Sequence, residues 1–162
     1  MCHWATISDM EAETQRVLNR LMRLCAAREY CRSDIRRKLA ALPPAEADKV
    51  LDTLCREGYV DDARYARAFA RDKSALQGWG NRKIKLALQR KGIEPGVVAA
   101  ALSEIDGLAA EARLEQVLGA KWKTLQRETD PRQREAKFFR YGLGRGYSYE
   151  EIKRIYDHLR RD

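Results

Sequence analysis

The sequence predicts an all-α protein: three tandem three-helix repeats, each helix-turn-helix-like, forming an elongated, curved array. Three observations carry this. Apolar residues recur at three- and four-residue spacing almost throughout. Helix-start and helix-stop signals punctuate the chain. The pattern also returns with a period of about 48 residues, as a stacked repeat requires.

Taken in order, Val17, Leu18, Leu21, Met22, Leu24 and Cys25 place a helix over 9–27, and Ser8-Asp9-Met10-Glu11 has the form of its capping box. Ile35, Leu39 and Leu42 place a second over 32–42. Val50, Leu51, Leu54 and Cys55 place a third over 44–57, stopped by Glu57-Gly58. Asp61-Asp62 opens 61–76 with the negative charge that a helix N-terminus favours. Ile84 and Leu88 mark 80–91, and Glu94-Pro95 puts proline at the first position of 95–104. A long helix over 108–127 follows, then 131–144 behind Asp130-Pro131. Ser148-Tyr149-Glu150-Glu151 caps the last, 149–160, whose stripe is Ile152, Ile155 and Leu159. No window of alternating β-branched residues competes for a strand.

These helices group in threes. Laying Ile35 on Ile84 sets Leu39 on Leu88, and one residue less of shift sets Leu54 on Leu102. The units expected are 1–59 (an N-terminal lead plus the first repeat), 60–106 and 107–162. Each is too small to bury much core alone, so neighbours should stack. Gly78-Trp79-Gly80 and Asp106-Gly107 are the places expected to bend.

The chain has 162 residues, 32 Lys+Arg against 24 Asp+Glu, and a net charge of +8, which favours an anionic partner. With 44% apolar residues it is not a disordered polyelectrolyte. The longest uncharged run, Pro95 to Ser103, is too short to span a bilayer, and the start lacks a secretory signal. A cytoplasmic protein without membrane contact is expected, and a monomer. Cys2, Cys25, Cys31 and Cys55 form no C-x-x-C pair, and His3 and His158 stand at opposite ends. No metal site and no cofactor are therefore expected, although Cys2-His3 could hold adventitious metal.

The charge is unevenly placed. The first third carries an excess of one, the second of three and the last of four. From Lys73 to Ile93 there are Lys73, Arg82, Lys83, Lys85, Arg90 and Lys91 and no acid. With Ile84 and Leu88 inward, Arg82 and Lys85 must point outward. A solvated face is the ordinary reading of such a helix. The missing acids favour phosphate contact instead. A second group, Lys137, Arg140, Arg145, Lys153 and Arg154, is interleaved with aromatics. Of these, Phe138, Phe139 and Tyr147 fit core spacing, while Tyr141 and Tyr149 stay open between packing and stacking. Arg36, Arg37 and Lys38 are the equivalent strip of the first unit.

Little supports an enzyme. There is no Gly-rich phosphate loop, no nucleophile–His–acid set and no ligand cluster. Asp61 and Asp62, adjacent on a helix, point about 100° apart and serve as caps. No catalytic residue is expected, and a nucleic-acid hydrolase is the weakest reading.

Gly58-Tyr59-Val60-Asp61-Asp62-Ala63-Arg64-Tyr65-Ala66 through Phe69, with Gly78-Trp79-Gly80 to Ile84 and Lys91-Gly92-Ile93, resembles the central signature of the RecX family of bacterial recombination regulators. Arg28-Glu29-Tyr30 through Leu39, and Lys137-Phe138-Phe139 with Arg145-Gly146-Tyr147 to Ile152, resemble its flanking units. The chain departs from the pattern at Cys31, where serine is usual, and at Leu108-Ala109-Ala110, where tryptophan often opens the third unit. At the first, Ser33 and Asp34 are placed to compensate. The resemblance implies a modulator, mainly an inhibitor, of the RecA recombinase. Its partners would be the RecA filament and DNA, single-stranded first and double-stranded left open. The basic residues named above, from Arg36 to Arg154, are the contacts it would use. A stand-alone DNA-binding protein of tandem three-helix units is the alternative.

Overall fold

The computed structural model describes residues 3–161. Among these the chain is helical, with no strand. The first unit holds α1 (His3–Ala27), α2 (Arg32–Lys38) and α3 (Pro44–Arg56). The second holds α4 (Asp62–Ala75), α5 (Asn81–Arg90) and α6 (Pro95–Ser103), and the third α7 (Gly107–Leu125), α8 (Pro131–Arg145) and α9 (Tyr149–Leu159).

The local chemistry explains most boundaries. Asp61 accepts from the Arg64 N–H, Asp106 from Leu108 and Ala109, and Asp130 from Arg132, each satisfying a free amide of α4, α7 and α8. Pro44, Pro95 and Pro131 start helices without a lost hydrogen bond. Ser148 and Glu151 form the reciprocal capping box of α9. Two expectations need correction. α1 already runs from His3, so Ser8 is internal rather than a start. α2 ends at Lys38, with Leu39 as its cap, rather than at 42; the prolines at 43 and 44 disfavour helix just before them.

Three apolar clusters form the interior. Leu21, Ile35, Leu39, Val50 and Leu54 centre the first, and Ala66, Ala70, Ile84, Leu88 and Val98 the second. Leu114, Leu118, Phe138, Ile152 and Ile155 centre the third. The repeat offset therefore has a physical counterpart: Ile35 and Ile84, like Leu39 and Leu88, fill the same place in successive cores. Leu102, aligned with the fully buried Leu54, is only half-buried, while Val98, offset by the same step from Val50, is buried as that residue is. Cys31 crosses the division, being fully buried in the second cluster although it precedes α2.

The two junctions between units use different chemistry. Between the first and second, side chains do the joining. The Asp62 carboxylate accepts from the Arg32 N–H at 2.8 Å, so a residue of α4 caps α2. Arg64 donates to Glu29 at 2.6 Å and to the Gly58 carbonyl at 3.0 Å. Lys91 donates to both oxygens of Asp34, at 2.8 and 3.0 Å.

Between the second and third, backbone meets backbone. The Gly80 N–H donates to the Arg145 carbonyl at 2.8 Å and the Arg82 N–H to Gly146 at 3.2 Å. The buried Tyr147 hydroxyl donates to the Gly78 carbonyl at 2.7 Å. A Cβ on Gly80 would run into the Gly146 carbonyl, and one on Gly78 would sit 2.6 Å from Val117. The Gly78-Trp79-Gly80 turn, expected to bend, is thus a buried packing surface. Its glycines allow close approach of two turns rather than motion.

Candidate functional site

The expected basic residues separate into those already neutralised and those left free. Arg36 pairs with Asp48 at 3.0 Å, Lys153 with Asp157 at 2.5 Å and Arg154 with Glu111 at 2.5 Å. Lys137 pairs with Glu128, and Arg37 and Lys91 share Asp34. Arg145 donates to the Gln77 carbonyl at 2.8 Å and lies over the Tyr141 ring, so its work is to hold the junction. Arg82, Lys85, Arg90 and Arg140 are exposed and have no acidic partner among the described residues. Lys38, Lys73 and Lys83 stand over aromatic rings instead of beside carboxylates.

Two places gather these cations. The first is the outer face of α5 where it meets the end of α8. Arg82, Lys83 and Arg90 surround Leu86, Leu143 and Gly144 in a depression of about 340 Å³. Leu86 and Leu143 are 47% and 46% exposed, unusual for leucines side by side. The Lys83 amine lies 4.4 Å above the Trp79 ring and donates to the Gly144 carbonyl at 3.4 Å. α5 is amphipathic in the simplest way, with Ile84 and Leu88 fully buried and Arg82, Lys85, Leu86 and Arg90 outward.

The second is a groove of about 830 Å³ between the first and second units, bounded by the α1–α2 loop, α2 and α4. Lys38 and Lys73 line it, as do Arg37 and Lys91. It also holds Arg28 and Arg71, which the charge pattern did not single out because an acid follows each directly in sequence. Arg28 was nevertheless visible as the first residue of the Arg28-Glu29-Tyr30 motif. Arg140, Lys137, Lys153 and Arg154 join neither place.

Asp34 sits at the base of the groove. Burial by itself raises its pKa, but hydrogen bonds from Lys91, Cys31 and Arg37 outweigh that and hold it below the usual carboxylate value. Burial would lower the Lys91 pKa, yet its bonds to Asp34 and Tyr65 raise it. Both groups are charged at neutral pH. The Cys31 thiol, pushed up by burial, donates to Asp34 at 3.1 Å and stays protonated.

Among the described residues no cluster of His, Cys, Asp and Glu could hold a metal ion. Cys2, half of the adventitious pair, lies outside them. No described helix is long and apolar enough to cross a membrane. The expected core aromatics are placed as follows: Phe138 is fully buried, Tyr147 nearly so, and Phe139 half-buried among Tyr149, Tyr156 and Phe138. Tyr141 is taken by Lys121 and Arg145.

Comparison with known proteins gives consistent matches. Family models for the second and third three-helix domains of RecX match residues 61–102 and 109–156. The Regulatory protein RecX of Pseudomonas entomophila is 37% identical over 138 residues, covering 83% of this chain and 85% of that protein. That of Serratia proteamaculans is 30% identical over 164 residues, covering 86% and 95%. A solved structure of a regulatory protein RecX superimposes with a TM-score of 0.81 at 21% identity, covering 94% of this chain and 75% of the other. RecX from Lactobacillus salivarius gives 0.77 at 18%, covering 94% and 99%. At those identities the structures speak for the fold alone.

Proposed function

The chain belongs to the RecX family of regulatory proteins, and on that premise we propose that it binds RecA filaments on DNA and restrains their recombinase, ATPase and co-protease activities during DNA repair. In this reading it is a cytoplasmic, non-catalytic monomer that needs no cofactor. The observation that carries it is the α5 face. Among the described residues Arg82, Lys85 and Arg90 have no carboxylate to neutralise them, and two exposed leucines stand among them. Cations beside apolar side chains suit an acidic protein surface with an apolar anchor, where desolvated contacts add to charge attraction. A face meant only for phosphates would gain nothing from Leu86 and Leu143.

The test is RecA ATP hydrolysis on single-stranded DNA with the protein titrated in. Hydrolysis should fall, and the triple reversal Arg82→Glu, Lys85→Glu, Arg90→Glu should raise the half-inhibitory concentration roughly tenfold or more while leaving the helical circular dichroism unchanged. Unchanged hydrolysis at saturating wild-type protein would overturn the RecA reading in favour of stand-alone DNA binding. Undiminished inhibition by the triple variant would remove α5 from it.

A further inference from the structure

We infer that the groove between the first and second units binds the sugar–phosphate backbone of a single nucleic-acid strand, with Arg28, Lys38 and Lys73 as its phosphate contacts. The inference rests on the reading of DNA as a partner and names the site and the strand form. Three features of the groove lead to it.

The first is how its cations are held. The Arg28 guanidinium lies 4.6 Å and the Lys38 amine 5.3 Å from the centre of the Tyr30 ring. The Lys73 amine stands 5.3 Å from the Phe69 ring and 4.8 Å from that of Trp79. A ring face positions a cation through its quadrupole but carries no net charge to cancel it. These three are therefore oriented while their charge stays uncompensated, unlike that of cations paired with carboxylates.

The second is the fate of the groove's acids. Glu29 receives Arg64 at 2.6 Å, Asp72 receives Arg71 at 3.1 Å, and Asp34 is shared between Lys91 and Arg37. Each carboxylate is engaged by a cation, so the positive surplus belongs to the ring-held residues. The third is size. About 830 Å³ is near the upper end of small-ligand clefts, with room for a few nucleotides of one strand. A duplex carries two strands and their paired bases, more than a cleft of that volume encloses. Because cations cover the rings, bases gain little stacking surface, and binding follows the backbone without regard to sequence.

The experiment measures binding of a fluorescently labelled oligothymidylate by anisotropy across a salt series, without RecA. On single strands each phosphate contact contributes about −0.7 to the slope of log K against log salt. The variant Arg28→Gln, Lys38→Gln, Lys73→Gln should flatten that slope by about 2, while affinity for a labelled duplex hairpin changes less. The charge-keeping variant Arg28→Lys, Lys38→Arg, Lys73→Arg should bind as wild type does. A wild-type slope in the glutamine variant would overturn the site, and so would equal loss in the charge-keeping variant. Equal loss on duplex and single strand would overturn the strand assignment. The RecA reading fails separately: a flattened slope beside unchanged RecA hydrolysis would keep the groove and discard RecA.

Discussion

At position 31 the chain carries cysteine where a helix N-cap normally supplies an oxygen, and a residue of the next unit makes up the difference. The Cys31 side chain makes no cap bond, but Asp62 of the next unit accepts the Arg32 amide in its place. Of the two residues expected to compensate, neither caps α2 through its side chain. Ser33 touches the thiol at 3.2 Å, and Asp34 turns instead to Lys91, Arg37 and Cys31 itself. The depressed pKa of Asp34 sets the pH sense of this junction. A carboxyl whose folded pKa lies below its unfolded one stabilises the fold above the unfolded value, and that contribution is lost as pH falls through the folded one. Asp34→Asn should therefore lower stability near neutrality by about 2 kcal/mol, between an exposed and a buried pair. The gap from wild type should close as pH falls through the folded pKa of Asp34, below the usual carboxylate value. Urea unfolding at a series of pH values checks this; a constant gap down to acid would refute it.

At the scale of elements, the α4–α5 turn shows how little room separates the second and third units. Gly80 has an ordinary negative φ, so its need for glycine is purely one of space: the Gly146 backbone occupies the position of a Cβ. Gly146 does need a left-handed backbone, φ +89°, to end α8, and it also abuts Lys83. Gly80→Ala should cost about 2–3 kcal/mol, as overpacking at an unyielding contact does. It should also break the Gly80 and Arg82 amide bonds to the α8–α9 turn. Thermal unfolding would reveal the first effect and faster amide exchange at these two positions the second. Because Lys83 and Arg82 lie on the same turn, the substitution also displaces one edge of the α5 depression.

Across the whole molecule, one junction relies on carboxylates, and the other on backbone amides and carbonyls helped by Tyr147 and Arg145. Acid should therefore loosen them in sequence. Protonating Asp34 removes the charged partner of Lys91, while the Gly80–Arg145 and Arg82–Gly146 bonds contain nothing that titrates. Hydrogen exchange at a series of falling pH values should show α2 amides losing protection before those of Gly80 and Arg82. Simultaneous loss would mean that the three units unfold as one.

Most of the helices, most of their caps and the repeat are legible in the amino-acid order alone. These follow from residues within a few positions of each other, or from a periodicity that any reader of apolar spacing can count. That order also determines which face of α5 is charged, since Ile84 and Leu88 fix the inward side. Which cations are free emerges only when the chain is folded. Lys91 and Arg82 look alike in the acid-free stretch, but the acid that neutralises Lys91 lies 57 residues away, in another unit. Likewise Arg28 looks balanced by its neighbour Glu29, yet that carboxylate turns to Arg64 and leaves Arg28 on a tyrosine ring. Charge adds along a sequence, but pairing depends on distances of a few ångströms, and folding alone sets those.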